Sequence, residues 1–411
     1  MIDTLGKRAY GIPFVVVALL ICLFSLMFYP MTHLELRGLP FAVVNLDEGT
    51  ETPQGTMNAG DTVAEKLMSM GDSGEGSDGT AMPISWTERG SWDELNQAID
   101  NGELYGAVVI PEDLTQSQLA AAQAVAAQAT AAQAGGAAAA GANAVQADVP
   151  AVAAQAGAGA AQTAADSASP TLTVVLDYAK SPLVASQLQT QIASLFQQQG
   201  ITASVDVRNA PGDSMSQSPL SGMMFQQLSI LPLVLGAAIG SVLLRVISHR
   251  TAKPESSRWS IIGTQAVGAV ALSLAVALLT WCAVLWGAGV ELPFGTAVPF
   301  LWMAALCLMA LFLGALNLSL PLGALVILLM MGLGTATGVL PAEGLPTFWQ
   351  DWVNPWAPQH FIGEGVRAIA LRGAGIANAG TTPLLVAGAI GLALLALAGA
   401  LPRRRKETNR A

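Results

Sequence analysis

Residues 260–288 read SIIGTQAVGAVALSLAVALLTWCAVLWGA, 29 consecutive positions without Asp, Glu, Lys or Arg. Wound as an α-helix at 1.5 Å per residue, such a run reaches about 43 Å, more than the ~30 Å hydrocarbon core of a bilayer. Every backbone N–H and C=O is then paired within the segment, which is the condition for crossing lipid. The run is one of six: 11–30, 221–244, 260–288, 298–316, 319–340 and 382–402 all meet the length and apolarity of a span. The chain as a whole is 53% hydrophobic and 11% charged, far from the ~25% charge of soluble proteins. Its 411 residues divide unevenly, because 31–220 is polar, acidic and rich in Ala, Gln, Gly and Ser. The sequence therefore predicts an α-helical polytopic membrane protein of about six spans, with an extracytoplasmic α/β domain inserted between spans one and two.

Orientation follows from the basic residues, which resist translocation when they flank a span. An inside N-terminus (1–10) puts Lys7 and Arg8, the loop Arg245, Arg250, Lys253 and Arg258, and the basic tail 403–411 in the cytoplasm, together 11 of the 18 Lys and Arg. Segment 31–220 then lies outside with five basic against 21 acidic residues. The first run, 11–30, reads as an uncleaved anchor. Its uncharged stretch Ile12 to Tyr29 exceeds a signal core, and Phe28-Tyr29-Pro30-Met31 offers no small-x-small site. A net charge of −10 excludes nucleic acid as a partner, which needs a basic surface. Cys22, Cys282 and Cys307 all fall in spans, so no disulfide holds the outside domain.

Within 31–220, Phe41-Ala42-Val43-Val44-Asn45 predicts a strand that stops at Asp47-Glu48-Gly49. A helix over Thr62–Met70 follows with Asp61 as N-cap. Ile84-Ser85-Trp86 is a second strand. Ser91 caps a helix to Asn101, with Glu94 completing a capping box and Gly102 ending it. Leu104 to Ile110 is the strongest strand, closed by Pro111. Residues 118–169 are an Ala/Gln-rich insertion. Thr171–Asp177, Pro182–Gln199 and Ile201–Val207 then repeat strand, helix, strand, so the domain reads as two α/β halves around the insertion.

The run Phe41 to Gly49, Asn58-Ala59-Gly60-Asp61, Ala98 to Gly102 and Tyr105 to Leu114 resemble the start of the YhgE/Pip (phage infection protein) family, part of the type-2 ABC-exporter-like membrane proteins. The later runs Gly338-Val339-Leu340-Pro341, Asn354-Pro355-Trp356-Ala357-Pro358 and Gly363-Glu364-Gly365-Val366-Arg367 resemble that family's segment between its last two spans. The resemblance implies a permease-like component of an export system for a lipid, peptide or envelope constituent, acting with a separate cytoplasmic ATPase and as a homodimer. It makes Asn45, Asp47, Gly49, Gly60, Gly102 and Pro111 family-motif residues of structural character. The alternative is a non-transporting envelope scaffold whose outside domain binds a partner or serves as a phage receptor. Many members carry a longer outside region with coiled-coil character where this chain has its Ala/Gln tract.

No Gly-x-x-x-x-Gly-Lys-Ser/Thr loop occurs, so the chain has no phosphate cradle of its own. The Arg245, Arg250, Lys253 and Arg258 loop is the candidate ATPase-coupling loop, set against the plain positive-inside rule. Glu364 and Arg367, three apart, are candidates for an ion pair on an exit-side helix, or on an interfacial helix that steadies the last span. Gly236/Gly240 and Gly334/Gly338 permit close helix contact, including a dimer contact. No cofactor, metal site or enzymatic activity is expected: His33, His249 and His360 are scattered, and Asn45, Asp47 and Glu48 lack the calcium-loop pattern.

Overall fold

The computed structural model describes residues 25, 29–30, 38–52, 55–72, 84–120, 122–123, 172–189, 203–210, 219–253 and 255–401. The segments 1–10 and 403–411, nearly all of the first span at 11–30 and most of the insertion at 118–169 lie outside them. The chain divides into an α/β unit, Gly38–Lys180 with Val184–Arg208, and a helical unit that includes Asn209–Ala411.

In the α/β unit, β1 (Leu39–Asn45) is the middle of three parallel strands, between β4 (Ile84–Arg89) and β5 (Gly106–Ile110). Alternate residues of a strand point to opposite faces, and both faces of β1 are covered. Ala42 and Val44 pack with Leu95, Ala98 and Ile99 of α2 (Trp92–Asp100). Val43 packs with Ala59 and Ala64 of α1 (Ala59–Asp72). A continuous apolar run rather than an alternating one is what such a doubly covered strand needs. Between β1 and α1 stands a small antiparallel hairpin, β2 (Thr50–Thr52) and β3 (Gly55–Met57).

The two halves share one sheet. The strand β6 (Leu172–Asp177) joins β5 antiparallel, with Gly106 opposite Leu176, and β7 (Ala203–Arg208) runs parallel to β6. One mixed sheet of order β4-β1-β5-β6-β7 results. The physical reason lies in β5, which is buried along its whole length. As an edge strand it would leave a row of buried backbone groups unpaired. The helix caps also differ in detail from expectation. Asn58, not Asp61, caps α1, its Oδ1 accepting from Asp61 N at 3.0 Å. Ser91 caps α2, accepting from Glu94 N at 3.2 Å, while Glu94 reaches back to the N–H of Gly90 rather than that of Ser91.

The helical unit has five helices among the described residues long and apolar enough to cross a membrane. They are α3 (Pro219–Thr251), α4 (Arg258–Gly287), α5 (Phe294–Leu318), α6 (Leu320–Val339) and α8 (Thr381–Ala400), with the shorter α7 (Pro358–Arg372) between the last two. The hairpin at Asn317-Leu318-Ser319 is as tight as a hairpin can be. Ser319 alone leaves the helical conformation, and its hydroxyl accepts from Leu322 N at 3.2 Å to cap α6. Of the apolar stretch of α5, 72% is buried inside the protein, against 33–50% for the other four, so α5 is the centre of the bundle.

Exposed aromatics ring the bundle ends. Trp286, Phe294, Phe348, Trp352 and Trp356 sit at helix ends on one side and Trp259 at the start of α4 on the other. These are the positions amphipathic rings take at the two lipid–water boundaries.

Helices in lipid gain little from burying apolar surface against each other, so close backbone approach carries their association. One such approach is α5 against α8. A Cβ at Gly314 would come within 2.5 Å of Gly391 O, and one at Gly391 within 2.3 Å of Leu311 N. Gly236 and Gly240 face Val276 and Leu272 of α4, and Gly334 and Gly338 face Gln359 of α7. Both glycine pairs are therefore used within the chain, which removes them as evidence for a dimer. Replacing Gly391 with Val drives a side chain into the α5 backbone, and overpacking of this kind costs about 1–3 kcal/mol or more. We expect G391V to lose the monodisperse peak in fluorescence-detected size exclusion, while Gly263→Val, where a Cβ meets open space, keeps it; equal profiles would refute the α5–α8 assignment.

Candidate functional site

The helical unit holds a polar seam where α3, α6 and α7 meet. Gln226 of α3, buried at 3% exposure, has its amide between Val339 O and the guanidinium of Arg367 on α7; with the amide turned so that its nitrogen donates to Val339 O at 2.7 Å, its oxygen accepts from Arg367. Gln359, at the start of α7 and 1% exposed, donates to Met330 O at 2.6 Å across the α6 interface. Its Oε1 has no hydrogen-bond partner among the described residues. Ser229, Thr335 and Thr337 are buried nearby in sequence, each bonded to a carbonyl of its own helix. Trp349 ties the preceding loop to α6 through Leu333 O at 3.2 Å and stacks on Tyr29 at 5.6 Å between ring centroids.

The sequence pairs Glu364 with Arg367 by spacing. In the structure Glu364 lies 3.7 Å from His360 one turn earlier, and Arg367 reaches across to Gln226. The reason is access: Arg367 has on α3 a buried amide that needs a donor, and such a group is costly to leave unmet. Burial pushes the His360 imidazole below its ordinary 6.5; the adjacent Glu364 raises it, Arg367 lowers it further, and a backbone hydrogen bond with Thr337 and the more distant Glu343 raise it.

At the other end of the bundle, the four residues of the basic loop part company. Arg258 donates to Ala398 O at 2.9 Å, satisfying a carbonyl of the last turn of α8, where a cation is favoured. Arg245 is half-buried on α3, whereas Arg250 and Lys253 are exposed. Above them, Gln265 of α4 joins Ser248 of α3 at 2.7 Å and Asn317 of α5 at 2.6 Å, a polar clasp across three helices.

The α/β unit gathers four of the six motif residues into one cluster. Asp47, 6% exposed, accepts from Gly60 N at 2.9 Å, Gly49 N at 3.3 Å and Thr115 N at 3.4 Å, and from the Thr115 hydroxyl. Thr115 in turn accepts from Ala59 N at 2.8 Å. The carboxylate thus sits on the N-terminus of α1, where unpaired N–H groups and the helix dipole favour a negative charge. Asn45 accepts from Asp47 N at 3.1 Å and donates to Asp61 at 2.7 Å. Gly60 is required by contact, since a Cβ there would lie 2.4 Å from Asn45 Oδ1, and Gly49 by its φ of 71°. Gly102 and Pro111 stand apart from the cluster. Gly102, at φ 70°, turns the chain after α2, and Pro111 ends β5 and accepts from Leu114 N.

Thr115, Gln226, Gln359, Gln265 and Asn317 are missed as site residues by the sequence reading, and Asn58, quoted within a motif, is not recognised there as the cap of α1. The amides of Gln226, Gln265 and Asn317 carry the one available signal, as polar residues inside otherwise apolar runs. Among the described residues no group of three His, Cys, Asp or Glu could hold a metal ion. Cys282 and Cys307 are unbonded.

Five apolar helices with buried amide clasps, a short helix between the last two, and an α/β unit define a multi-pass membrane protein. A family model described as ABC-2 family transporter protein matches residues 11–400, so the chain belongs to the ABC-2 transporter family. No curated protein and no solved structure gives a significant match.

Two outcomes follow from this geometry. Asp47→Ala strands the Gly60, Gly49 and Thr115 donors. It should destabilise the α/β unit by about 3 kcal/mol, read as faster hydrogen exchange in β1 and α1 of the purified chain; unchanged protection there would exclude the anchoring role. For His360, a lowered folded-state value means the unfolded chain binds the proton more readily, so stability is full above pH 6.5 and falls as pH drops below it. The melting midpoint of the wild type should decline between pH 7 and pH 5 more steeply than that of His360→Gln, and parallel curves would contradict this.

Proposed function

We propose that this chain is the membrane-embedded permease of an ATP-driven export system of the YhgE/Pip type, moving a lipid, peptide or envelope constituent outward across a bacterial inner membrane. Both termini are cytoplasmic in this reading, and the α/β unit of 31–220 stands outside. The observation that carries it is the ABC-2 match over residues 11–400 in a chain without a phosphate-binding loop. Permeases of this family usually act in the bilayer with a separate ATPase. The exposed pair Arg250 and Lys253, at the end of α3 and in the short connection to α4, is the proposed docking point. Arg258 serves the α8 terminus instead. The seam of Gln226, Gln359 and Arg367 gives a polar lining on which a gate between α3 and α7 could act. The resemblance also implies a second copy of the chain, to which the two glycine pairs, used internally, lend no support.

Purification from the native membrane tests the reading. A stoichiometric ATPase should accompany the wild type and be lost, with expression and melting unchanged, from Arg250→Glu/Lys253→Glu. An envelope partner held by residues 31–220, with no ATPase in any mild detergent, would replace the permease by the scaffold reading.

A further inference from the structure

On α3, Leu235, Ala238 and Val242 form with Ile327 and Met331 of α6 an open groove of about 270 Å³ lined only by apolar side chains. Arg245 follows Val242 by three residues and Ala238 by seven, the spacings that keep side chains on one helical stripe, so it stands at the foot of the groove wall. Its Nη1 is buried and has no hydrogen-bond partner among the described residues. A half-buried guanidinium with one nitrogen unpaired is met best by an anion. Arg250 near the end of α3 and Lys253 just beyond it add exposed positive charge at the same end of the helix.

Length sets the anion's identity. From Leu235 to Arg245 the helix rises about 15 Å, half of the ~30 Å hydrocarbon core and hence the depth of one leaflet. Around Arg245 the side chains of Val242, Leu243, Val246 and Ile247 are exposed and apolar, so the surface that meets the groove is a lipid-facing one. An apolar slot one leaflet deep with a cation at its foot has the form of a single phospholipid: chain above, phosphate below. We propose that the α3–α6 groove holds one anionic phospholipid of the adjoining leaflet, an acyl chain lying from Leu235 to Val242 and its phosphate on Arg245. A second copy of the chain is the rival occupant, and the unpaired cation at Arg245 favours an anionic lipid over it. The site does not depend on what the protein transports or on whether an ATPase docks.

Native mass spectrometry of the full-length protein, titrated in detergent with phosphatidylglycerol or phosphatidylcholine, tests this. The wild type should retain one phosphatidylglycerol in preference to phosphatidylcholine. Arg245→Gln should weaken that binding about tenfold, the effect of losing a charge-assisted contact, and Arg250→Gln should weaken it much less. Val242→Trp fills the groove from an exposed position and should remove the bound lipid while leaving the melting midpoint in detergent unchanged. It decides the matter alone if Arg245→Gln fails to fold. Equal binding of the two lipids, or wild-type lipid retention by a folded Arg245→Gln or Val242→Trp, overturns the proposal. So does efficient disulfide formation between two copies carrying Val242→Cys in native membranes, which would give the groove to a second chain.

Discussion

Close backbone approach between helices in a medium that offers no hydrophobic reward for association is the constraint on which this protein rests. The central helix α5 meets it most fully, with Gly314 against Gly391 and Cys307 against Gly388. The same condition recurs at Gly236 and Gly240 toward α4 and at Gly334, Gly338 and Gly363 where α6 and α7 cross. Once backbones are that near, amide side chains can bridge them, which is what Gln265 does between α3 and α5 and Gln226 between α6 and α7. Packing and polar bridging are thus one arrangement, the glycines providing the distance and the amides the direction.

The α/β unit solves a different problem, that of a buried charge. Asp47 would be costly inside a sheet-and-helix core without donors. The chain surrounds it with backbone N–H groups from the start of α1, from Gly49 and from Thr115. Asn45 and Asn58 then orient the neighbouring backbone. A few short motif residues, spread over some 70 positions, act as a single junction that fixes β1, the β2–β3 hairpin, α1 and the end of β5 together.

Much of this was legible in the sequence because lipid imposes so simple a rule. Uncharged runs of span length located five helices, four of them to within a few residues while α3 runs on to Thr251, seven residues past the predicted end, and Ser91 and Gly102 marked the ends of α2. What escaped was everything set by distant partners. The joining of β5 to β6 depends on strands separated by the insertion, and no periodicity reports it. Arg367 sits at ion-pair spacing from Glu364, yet a buried amide on another helix outcompetes that neighbour. Arg245, Arg250, Lys253 and Arg258 look alike as basic residues, while burial and a nearby helix terminus give them different tasks.

The joint between β5 and β6 has a consequence for how the chain can vary. Closing the sheet requires bringing together strands some 60 residues apart in sequence, Gly106–Ile110 and Leu172–Asp177. Loop-closure entropy rises only logarithmically, about 0.6 kcal/mol for each doubling of the intervening length. Doubling or halving the Ala/Gln-rich tract would therefore change the stability of the sheet by less than the loss of one good hydrogen bond to Asp47. A change in the length of the tract thus costs the sheet little, while the two strands that flank it are held to one register.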